Sequence, residues 1–279
     1  MDLDLLKTFL EVYRTRHFGR AAENLFLTQS AVSARIRLLE ETLNVPLFTR
    51  NRNNIQLTPA GERLLGHAES ILAAWHRARQ DTMLAQEARV PLAIGGMYSL
   101  WDILLQDWVH GLARRFPHVA LQAEAHGWKT LVRKLLDGTL DIGFMFEPPD
   151  MAELFVQEIA TIRLVMVATR PGTKAEEAIR ENYVMVDWGT SFAIAHARHF
   201  RDMPPPRVRL GQGRMALAYV LECGGAAYLA ERMVQEHVRD GRLFRVKDAP
   251  VIDRQAYAVY ELAHERRALM QEVLESLCG

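Results

Sequence analysis

Two helical patterns that lie only three residues apart, within residues 19–43, constrain the fold of this chain more than any other feature. Ala21, Ala22 and Leu25 share one side of the first pattern, because residues three or four apart face the same way on a helix. The second pattern starts after Thr28 and carries an apolar stripe, which comprises Ala31, Val32, Ile36, Leu39 and Leu43. Because small alanines allow two helices to approach closely, the spacing predicts a helix-turn-helix, preceded by a further helix over residues 4–15.

The second helix of this pair begins with polar residues. Thr28 is placed to cap the free backbone N–H groups of the first turn, and Gln29, Ser30, Ser33 and Arg37 fall opposite the apolar stripe. A glutamine amide can form two hydrogen bonds with adenine in the major groove, and a serine hydroxyl can donate or accept. This arrangement is typical of a DNA recognition helix, although the solvated face of a small helical subdomain fits the same pattern.

Basic residues are concentrated around this helix, even though the whole chain has 34 basic and 34 acidic residues. From Arg14 to Thr58, seven arginines stand against three glutamates, a local net charge of +4. The segment "LFTRNRNNIQLT" places asparagine-rich turn residues between two short strand patterns, which predicts a two-stranded wing. The polar residues expected at its tip are Arg50, Arg52, Asn53 and Asn54. Such cations can neutralise DNA phosphates without selecting a sequence.

A long helical pattern starts at Thr58-Pro59 and runs to about residue 87, with proline in the first turn, where its missing N–H does no harm. Its apolar residues recur at helical spacing and comprise Leu64, Leu65, Ala68, Ile71, Leu72, Trp75 and Ala78. A helix of this length on so small a domain predicts pairing with a second copy of the chain. Packing on the second domain of the same chain is the alternative.

From residue 90 onward, strand patterns alternate with helical ones, as in α/β folds with a largely parallel sheet. The first strand patterns are "VPLAIGGM", "VALQAEA", "LDIGFMF" and "IRLVMVAT". A second set follows Pro171, and a final helical pattern over 264–277 is expected to return to the first α/β unit.

Several classes of protein and site are not expected from the sequence. Cys223 and Cys278 are too few for a disulfide framework and have no neighbouring cation to activate a thiol, so we predict no redox role. His196 and His199 lack a third ligand, so we predict no metal site. The acidic N-terminus does not fit a signal peptide and no apolar run is long enough to span a bilayer, so we expect a cytoplasmic protein. We find no phosphate loop, nucleophile elbow or paired catalytic carboxylates, so we predict neither an enzyme nor a cofactor.

Residues 9–65 resemble the N-terminal signature of the LysR-type transcriptional regulators. The residues that carry the resemblance are Ala21-Ala22, Thr28 to Ser33, Ile36, Leu39-Glu40, Leu47-Phe48, Arg50 and Leu57-Thr58-x-Ala60-Gly61. Within this family, "RTRHFGRAAE" followed by "LTQSAVS" looks most similar to the HdfR-like branch, which is known for a regulator of a flagellar master operon. Close similarity covers about the first quarter of the chain, and the α/β remainder agrees with the family in architecture.

The resemblance implies an α/β protein with an N-terminal winged helix-turn-helix, a linker helix that forms a homodimer, and an effector domain of two Rossmann-like lobes. This effector domain is similar to periplasmic binding proteins. The resemblance also implies homotetramers that bind two sites in double-stranded promoter DNA. The expected parts are the winged helix-turn-helix over 1–58, the linker helix over 59–88, lobe 1 over about 89–161 with 265–279, and lobe 2 over about 162–264.

The resemblance also implies roles for individual residues of the DNA-binding domain. Gln29, Ser30 and Ser33 are expected to face bases or nearby phosphates. The residues expected to hold the DNA backbone are Thr28, Arg35, Arg37, Arg50 and Arg52, with Asn53 beside them at the wing tip. Ala34 departs from the family, which commonly has a basic or polar residue there, so a DNA contact from this position is in doubt.

The cleft between the two lobes is the expected effector site. The candidate residues, placed there by family resemblance, are Tyr98, Ser99, Leu100, Trp101, Trp128, Phe146 and Ser191. Ser99 precedes a helical pattern and fits either a helix cap or a donor to an anionic ligand. Trp188, Phe192 and Gly224-Gly225 are also expected to face the cleft, although paired glycines more often relieve close packing. The aromatic side chains fit a flat apolar effector and a cleft filled without any effector equally well.

The leading interpretation is therefore a LysR-type regulator that recognises promoter DNA and responds to a small molecule. One alternative is a small-molecule-binding protein or enzyme whose N-terminal unit serves only oligomerisation. Another is an architectural DNA-binding protein with a ligand-free second half.

Overall fold

The computed structural model describes residues 2–51, 54–86, 89–201 and 203–278. Its backbone contacts divide the chain into two compact units, one of residues 1–88 with 137–139 and one of residues 89–136 with 140–279. Among the described residues, no helix is both long and apolar enough to cross a membrane.

The first unit contains the predicted helix-turn-helix. Its helices are α1 (Leu3–Thr15), α2 (Phe18–Leu25), α3 (Gln29–Leu43) and α4 (Pro59–Gln86). The core between α1, α2 and α3 is apolar and fully buried at Leu6, Phe9, Ala21, Val32 and Ile36. These residues recur at helical spacing, so each helix buries one face against the other two.

The wing follows α3 and is held to it by one carboxylate. Strands β1 (Phe48–Asn51) and β2 (Asn54–Leu57) pair antiparallel, with Phe48 opposite Leu57. Glu40 on α3 accepts hydrogen bonds at Oε1 from the backbone N–H groups of Leu47 (2.8 Å) and Phe48 (3.2 Å). The wing is therefore positioned by α3 itself.

The start of α4 is fixed by close backbone packing. Thr58 accepts a hydrogen bond at Oγ1 from the N–H of Gly61 (3.1 Å) and donates one to the carbonyl of Pro46 (2.7 Å). A Cβ atom at Gly61 would lie 2.3 Å from the carbonyl oxygen of Leu47, so only glycine fits between α4 and the wing. This geometry explains the "LTPAG" motif.

The apolar stripe of α4 is shared between two environments. Ala68 is fully buried, and Leu64, Leu65 and Leu72 pack against the core of the first unit. Ile71 and Trp75 remain exposed, the indole to 51 %. The predicted pairing with a second copy therefore concerns only the part of the helix around these two residues.

The second unit is an α/β domain. Its helices are α5 (Tyr98–Leu100), α6 (Gln106–Arg115), α7 (Trp128–Leu136), α8 (Ala175–Glu181), α9 (Thr190–His199), α10 (Gly213–Cys223), α11 (Glu231–Arg239) and α12 (Arg267–Cys278). A π-helical turn, Trp101–Leu105, connects α5 to α6. The strands are β3 (Val90–Gly96), β4 (Val119–Ala125), β5 (Ile142–Met145), β6 (Leu154–Ala168), β7 (Tyr183–Val186), β8 (Val208–Leu210), β9 (Ala226–Ala230), β10 (Phe244–Arg245) and β11 (Ile252–Glu261).

The strands of the described α/β residues form one continuous mixed sheet in the order β4-β3-β5-β11-β6-β9-β7-β8, with β10 beside β6. Strands β3, β4 and β5 are parallel and form lobe 1, and β7, β8 and β9 are parallel and form lobe 2. The long strands β6 and β11 pair antiparallel from Ile252–Leu164 to Glu261–Leu154 and join the lobes. The carboxyl ends of β3, β5 and β7 lead to the predicted cleft residues.

The C-terminal helix α12 packs against α6 of lobe 1, and the indole N–H of Trp108 donates to Ser276 Oγ at 3.1 Å. The chain therefore ends beside the lobe in which the α/β domain begins.

Candidate nucleic-acid interface and interlobe cleft

The N-terminal tip of α3 is polar, exposed and anchored by its first residue. Thr28 is the N-cap and accepts a hydrogen bond at Oγ1 from the N–H of Ala31 (3.2 Å), as the sequence predicts. Its hydroxyl also lies 2.9 Å from that of Ser30. Gln29 and Ser30 are exposed and Ser33 is half-buried, while the side chain of Val32 is fully buried in the core. The tip therefore presents hydrogen-bonding groups to solvent on a rigid base.

The arginines expected to hold the DNA backbone are not equivalent. Arg37 and Ala34 are exposed on α3. Arg35 is half-buried and turned toward α1, where its guanidinium lies 3.7 Å from Asp4 Oδ2 and 3.5 Å from Thr8 Oγ1. A phosphate contact from Arg35 has to compete with this carboxylate. Arg50 lies in β1, and Arg52 and Asn53 lie outside the described residues.

Asp4 is the acidic partner on this surface. The hydrogen bond from Lys7 lowers the pKa of its carboxyl first, and the charges of Lys7 and Arg35 add to the effect. Asp4 therefore stays ionised and holds the Arg35 side chain along α1.

His17, which the sequence did not single out, caps α2 beside the N-terminal tip of α3, which we call the recognition tip (residues 28–33). Its Nδ1 accepts hydrogen bonds from the N–H groups of Gly19 (3.0 Å) and Arg20 (3.2 Å). In the neutral ring this leaves the proton on Nε2, which becomes a donor. A Cβ atom at Gly19 would lie 3.0 Å from the His17 ring and 4.0 Å from Gln29 Oε1, so both side chains flank this glycine. The available signal was a histidine directly before the "FGRAAE" helix.

Phe26, in the turn between α2 and α3, was also missed. Its side chain is 96 % exposed, and its φ of 56° places it in the left-handed region that a phenylalanine rarely adopts. The turn of the helix-turn-helix therefore presents an uncovered aromatic ring to solvent.

The predicted effector residues of lobe 1 fall into exposed and buried groups. Tyr98 and Trp128 are exposed to 48 % and 39 %, whereas Leu100 is fully buried in the core. Placing Leu100 at the cleft surface was therefore wrong, because its helical position turns it inward. Ser99 lies inside α5, whose N-cap is Met97, so the predicted capping role for Ser99 is also wrong. Trp101 starts the π-helical turn, and its indole N–H donates to the carbonyl of Glu124 at 2.9 Å.

Glu147, which directly follows Phe146, connects the two lobes. Its Oε1 accepts hydrogen bonds from Ser191 N (3.2 Å), Ser191 Oγ (2.9 Å) and Arg254 Nη2 (3.0 Å). Its carbonyl accepts the indole N–H of Trp128 at 2.6 Å. One residue of lobe 1 is thus bonded to the N-terminus of α9 in lobe 2 and to strand β11.

The Arg254 side chain is 4 % exposed and lies over the Phe146 ring, with Cζ 4.2 Å from the ring centroid. Gly189 has a φ of 88°, and a Cβ atom there would lie 3.0 Å from Arg254 Nη1. Burial lowers the pKa of Arg254, while the charges of Glu147 and Asp187 act in the opposite direction. Glu147 lies in the segment "FEPPD", which the family resemblance places at the cleft, but its partner Arg254 was not expected there because it is 107 residues away in the chain.

Other residues expected at the cleft lie elsewhere. Trp188 is buried, with its indole N–H donating to the carbonyl of Tyr228 at 2.8 Å, and Phe192 is buried in the same core. Gly224-Gly225 precedes β9 at the end of lobe 2 opposite to Ser191, because β7 and β9 are parallel. A Cβ atom at Gly225 would lie 2.3 Å from the carbonyl oxygen of Asn182. Paired glycine therefore serves close packing, and the prediction that it faces the cleft was wrong.

His196 lies on the buried face of α9, and its Nε2 is hydrogen bonded to the Tyr183 hydroxyl at 2.9 Å, whereas His199 is exposed. Burial lowers the pKa of His196 to about 4 and keeps the ring neutral. In the described part of the chain, no group of three histidine, cysteine or acidic side chains is arranged to hold a metal ion.

Comparison with known proteins identifies both units. Residues 3–62 match the model of the bacterial regulatory helix-turn-helix protein, lysR family, and residues 85–278 match that of the LysR substrate binding domain. The HTH-type transcriptional regulator HdfR of Yersinia enterocolitica is 36 % identical over 99 % of this chain and 96 % of its own. The resemblance to the HdfR-like branch is thereby confirmed.

Solved structures share the fold over the whole chain. CbnR, a LysR family transcriptional regulator, has a TM-score of 0.80 at 18 % identity, with 100 % of both chains covered. Full-length CbnR complexed with its target DNA has a TM-score of 0.78 at 20 % identity, with 99 % of both chains covered. The α/β fold with an N-terminal winged helix-turn-helix is therefore confirmed. The chain belongs to the LysR family and is a DNA-binding transcriptional regulator rather than an enzyme.

Proposed function

We propose that this regulator reads promoter DNA with the exposed tip of α3. The observation that supports this proposal is the geometry of the tip: Thr28 fixes the first turn, and Gln29 and Ser30 project from it into solvent. A recognition helix presents its N-terminal residues to base edges in the major groove. Gln29 is suited to adenine, and Ser30 and Ser33 to either a base or a nearby phosphate.

The DNA backbone is held from both sides of this helix. Arg37 lies on α3, and Arg50, Arg52 and Asn53 belong to the wing segment. Thr28 belongs to the same group, and Arg35 joins it where a phosphate draws the guanidinium away from Asp4. We add His17 to the group, because its ring and the Gln29 side chain both flank Gly19 and an Nε2–H donor is suited to a phosphate oxygen.

We further propose that the chain forms a homodimer through α4 and a homotetramer on DNA. Ile71 and Trp75 are exposed on the same long helix whose Leu64, Leu65 and Leu72 pack against the core of the first unit. A second copy of α4 is the partner that buries them symmetrically. Two copies of the α3 tip then meet two half-sites. Since the proposed partner is chromosomal DNA, we place this activity in the cytoplasm, and the similarity to HdfR favours flagellar or related operons as targets.

The test is footprinting of the full-length protein on DNA flanking its own gene, with excess non-specific DNA present. We expect a protected palindromic segment whose affinity falls steeply with rising salt. Protection that is equal on all sequences would overturn base reading by α3. The Gln29→Ala variant serves as the matched comparison, because it removes the base-reading amide and leaves the cap at Thr28 in place.

A small-molecule effector in the interlobe cleft is the finer part of this proposal. Tyr98 and Trp128 are exposed, and Trp128 donates its indole N–H to the carbonyl of Glu147. The carboxylate of Glu147 accepts the donors of Ser191 and Arg254, which a polar ligand group would use in its place. A thermal-shift screen of small carboxylates and aromatic compounds tests it. Stabilisation by one chemical class supports an effector, and no stabilisation by any compound favours a cleft that works without one.

A further inference from the structure

The cleft already contains a bound carboxylate, and it comes from the protein itself. Three donors from lobe 2 and β11 converge on a single oxygen, Glu147 Oε1. Glu147 follows β5 of lobe 1, so its side chain reaches out of its own lobe. We refer to Glu147, Ser191 and Arg254 together as the cleft latch.

Each donor of the cleft latch favours an anion. Ser191 is the second residue of α9, so its N–H has no partner within the helix and lies at the positive end of the helix dipole. Arg254 brings a full positive charge that is almost completely removed from water. A buried guanidinium is costly without a counter-charge, and Glu147 is the carboxylate hydrogen bonded to it.

The surroundings of the cleft latch hold it in position. Phe146 lies beneath the Arg254 guanidinium, Trp128 donates to the Glu147 carbonyl, and glycine at 189 allows the guanidinium to come close. The contacts come from lobe 1, lobe 2 and β11 together. The arrangement therefore requires lobe 1, lobe 2 and β11 to lie together as they do in this structure.

We propose that Glu147 acts as an internal ligand that holds the two lobes closed in the absence of any small molecule. This inference rests on the proposed function, since it concerns how the same cleft is regulated. Opening the lobes separates Glu147 from Ser191 and leaves Arg254 without its partner. A molecule that enters this part of the cleft has to displace the Glu147 carboxylate.

The test is chemical rescue of the full-length Glu147→Ala variant by sodium acetate. The substitution leaves a hole lined by the Ser191 and Arg254 donors, and we expect the melting temperature of the α/β unit to fall by about 5 °C. Acetate is expected to restore most of this loss, whereas sodium chloride at equal ionic strength and pH does not. The melting temperature of the wild-type protein should be the same in sodium acetate and in sodium chloride. If acetate and chloride act alike on Glu147→Ala, or if the variant melts like wild type, the proposal is overturned.

Two further variants control for general effects of acetate and for folding. Glu181→Ala removes an exposed carboxylate that pairs with Arg170 on the surface of lobe 2, and acetate-specific recovery is not expected there. Glu147→Gln preserves the shape of the side chain without the charge, so it should fold even where the alanine variant fails. It should melt below wild type without recovery in acetate, and a wild-type melting temperature for it contradicts the proposal.

A local measurement separates lobe opening from general destabilisation. Amide hydrogen exchange over residues 189–193 should rise in Glu147→Ala and return in acetate, while exchange in α8 stays unchanged. Equal changes in both segments contradict a latch. A gel-shift assay of wild type is run beside it. If wild type binds specific DNA but acetate does not rescue Glu147→Ala, only the cleft latch is overturned. If acetate rescues Glu147→Ala but wild type does not bind specific DNA, only the proposed function is overturned.

Discussion

The recognition tip and the interlobe cleft are built in different ways. The tip draws its parts from one short stretch, in which Thr28 caps the helix that carries Gln29 and Ser33. The cleft latch brings together Glu147, Ser191 and Arg254 from three separate elements. The first site depends on local helix geometry, while the second depends on the whole sheet being folded. Changes to the tip should therefore act locally, and changes to the α/β unit should act through its global stability.

The largest expected effect is on the core that supports the tip. Ile36→Ala removes a fully buried side chain from α3 and should lower the free energy of unfolding of the first unit by about 3 kcal/mol. Specific DNA binding should be lost with it, while the calorimetric transition of the α/β unit stays unchanged. Leu38→Ala is the control, because Leu38 is 52 % exposed on the same helix. If both variants lose the same stability, the assigned core face of α3 is wrong.

The next effect is a pH dependence confined to the α/β unit. Because burial lowers the pKa of His196 from 6.5 to about 4, the unfolded chain binds its proton at higher pH than the folded chain. Stability should fall as the pH drops from about 6.5 toward 4, by about 2 kcal/mol at pH 5, and this contribution is constant above that window. Urea unfolding at several pH values measures it. His196→Asn should lose this dependence and His199→Asn, on the exposed side of α9, should retain it; the reverse result would refute the assignment.

Base reading should be visible as a selective loss of affinity. Gln29→Ala should cost about 1.5 kcal/mol at one base pair in each half-site, because a bidentate amide contact is lost. Gel shifts on the operator and on its single-base variants give the profile. Gln106→Ala, an exposed glutamine in α6, is the control and should match wild type. A loss that is equal for every sequence shows that Gln29 does not read a base.

Two substitutions of His17 distinguish its role as a helix cap from a contact with DNA. His17→Ala should lower the free energy of unfolding of the first unit by about 1 kcal/mol, because two N–H groups at the start of α2 lose their acceptor. His17→Asn keeps an acceptor and should recover the stability. If Nε2 contacts a phosphate, His17→Asn still binds DNA more weakly than wild type. Full recovery of both properties would restrict His17 to its capping role.

The smallest expected effect is from a single phosphate contact. Arg37→Ala should weaken binding several-fold and alike for all sequences, and should reduce the slope of log affinity against log salt by about 0.9. Arg180→Ala, an exposed arginine in α8, is the matched control. A sequence-dependent loss in Arg37→Ala assigns this residue to base contact instead.

The recognition tip was predictable from the sequence because its determinants lie within one or two helical turns. Thr28 as a cap and Val32 and Ile36 as the buried face follow from spacing alone. The position of Ser99 was misjudged because the helix starts at Tyr98, two residues earlier than the pattern indicates. In the same way, Leu100 was placed at the cleft although helix rotation turns it inward.

Family resemblance placed Ser191 at the cleft, but its hydrogen bond to Glu147 and the approach of Arg254 were not predictable because these residues are far apart in the chain. Arg254 lies in a strand pattern that reads as ordinary alternation, and only the pairing of β11 with β6 and β5 brings it beneath the cleft. Trp188 and Phe192 were expected to line the cleft, yet both side chains are buried in the core of the α/β unit. Whether such a side chain faces the cleft or the core is set by how its segment packs on the sheet, and the spacing of residues in the sequence does not determine this.

The antiparallel pairing of β6 and β11, which both pass between the lobes, restricts how the lobes can move. Both strands run from one lobe to the other and are hydrogen bonded to each other, so the lobes cannot separate by rotation about a single free linker. Relative movement has to bend a paired ribbon, and the irregularity in pairing at Ala256/Tyr257 is where such bending disturbs the fewest backbone bonds. Arg254 is two residues from that point, so the loss of its hydrogen bond to Glu147 and the bending of the two strands occur at the same place in the sheet. Opening of the lobes on release of Glu147 should accordingly take the form of a twist of this ribbon rather than a free hinge rotation.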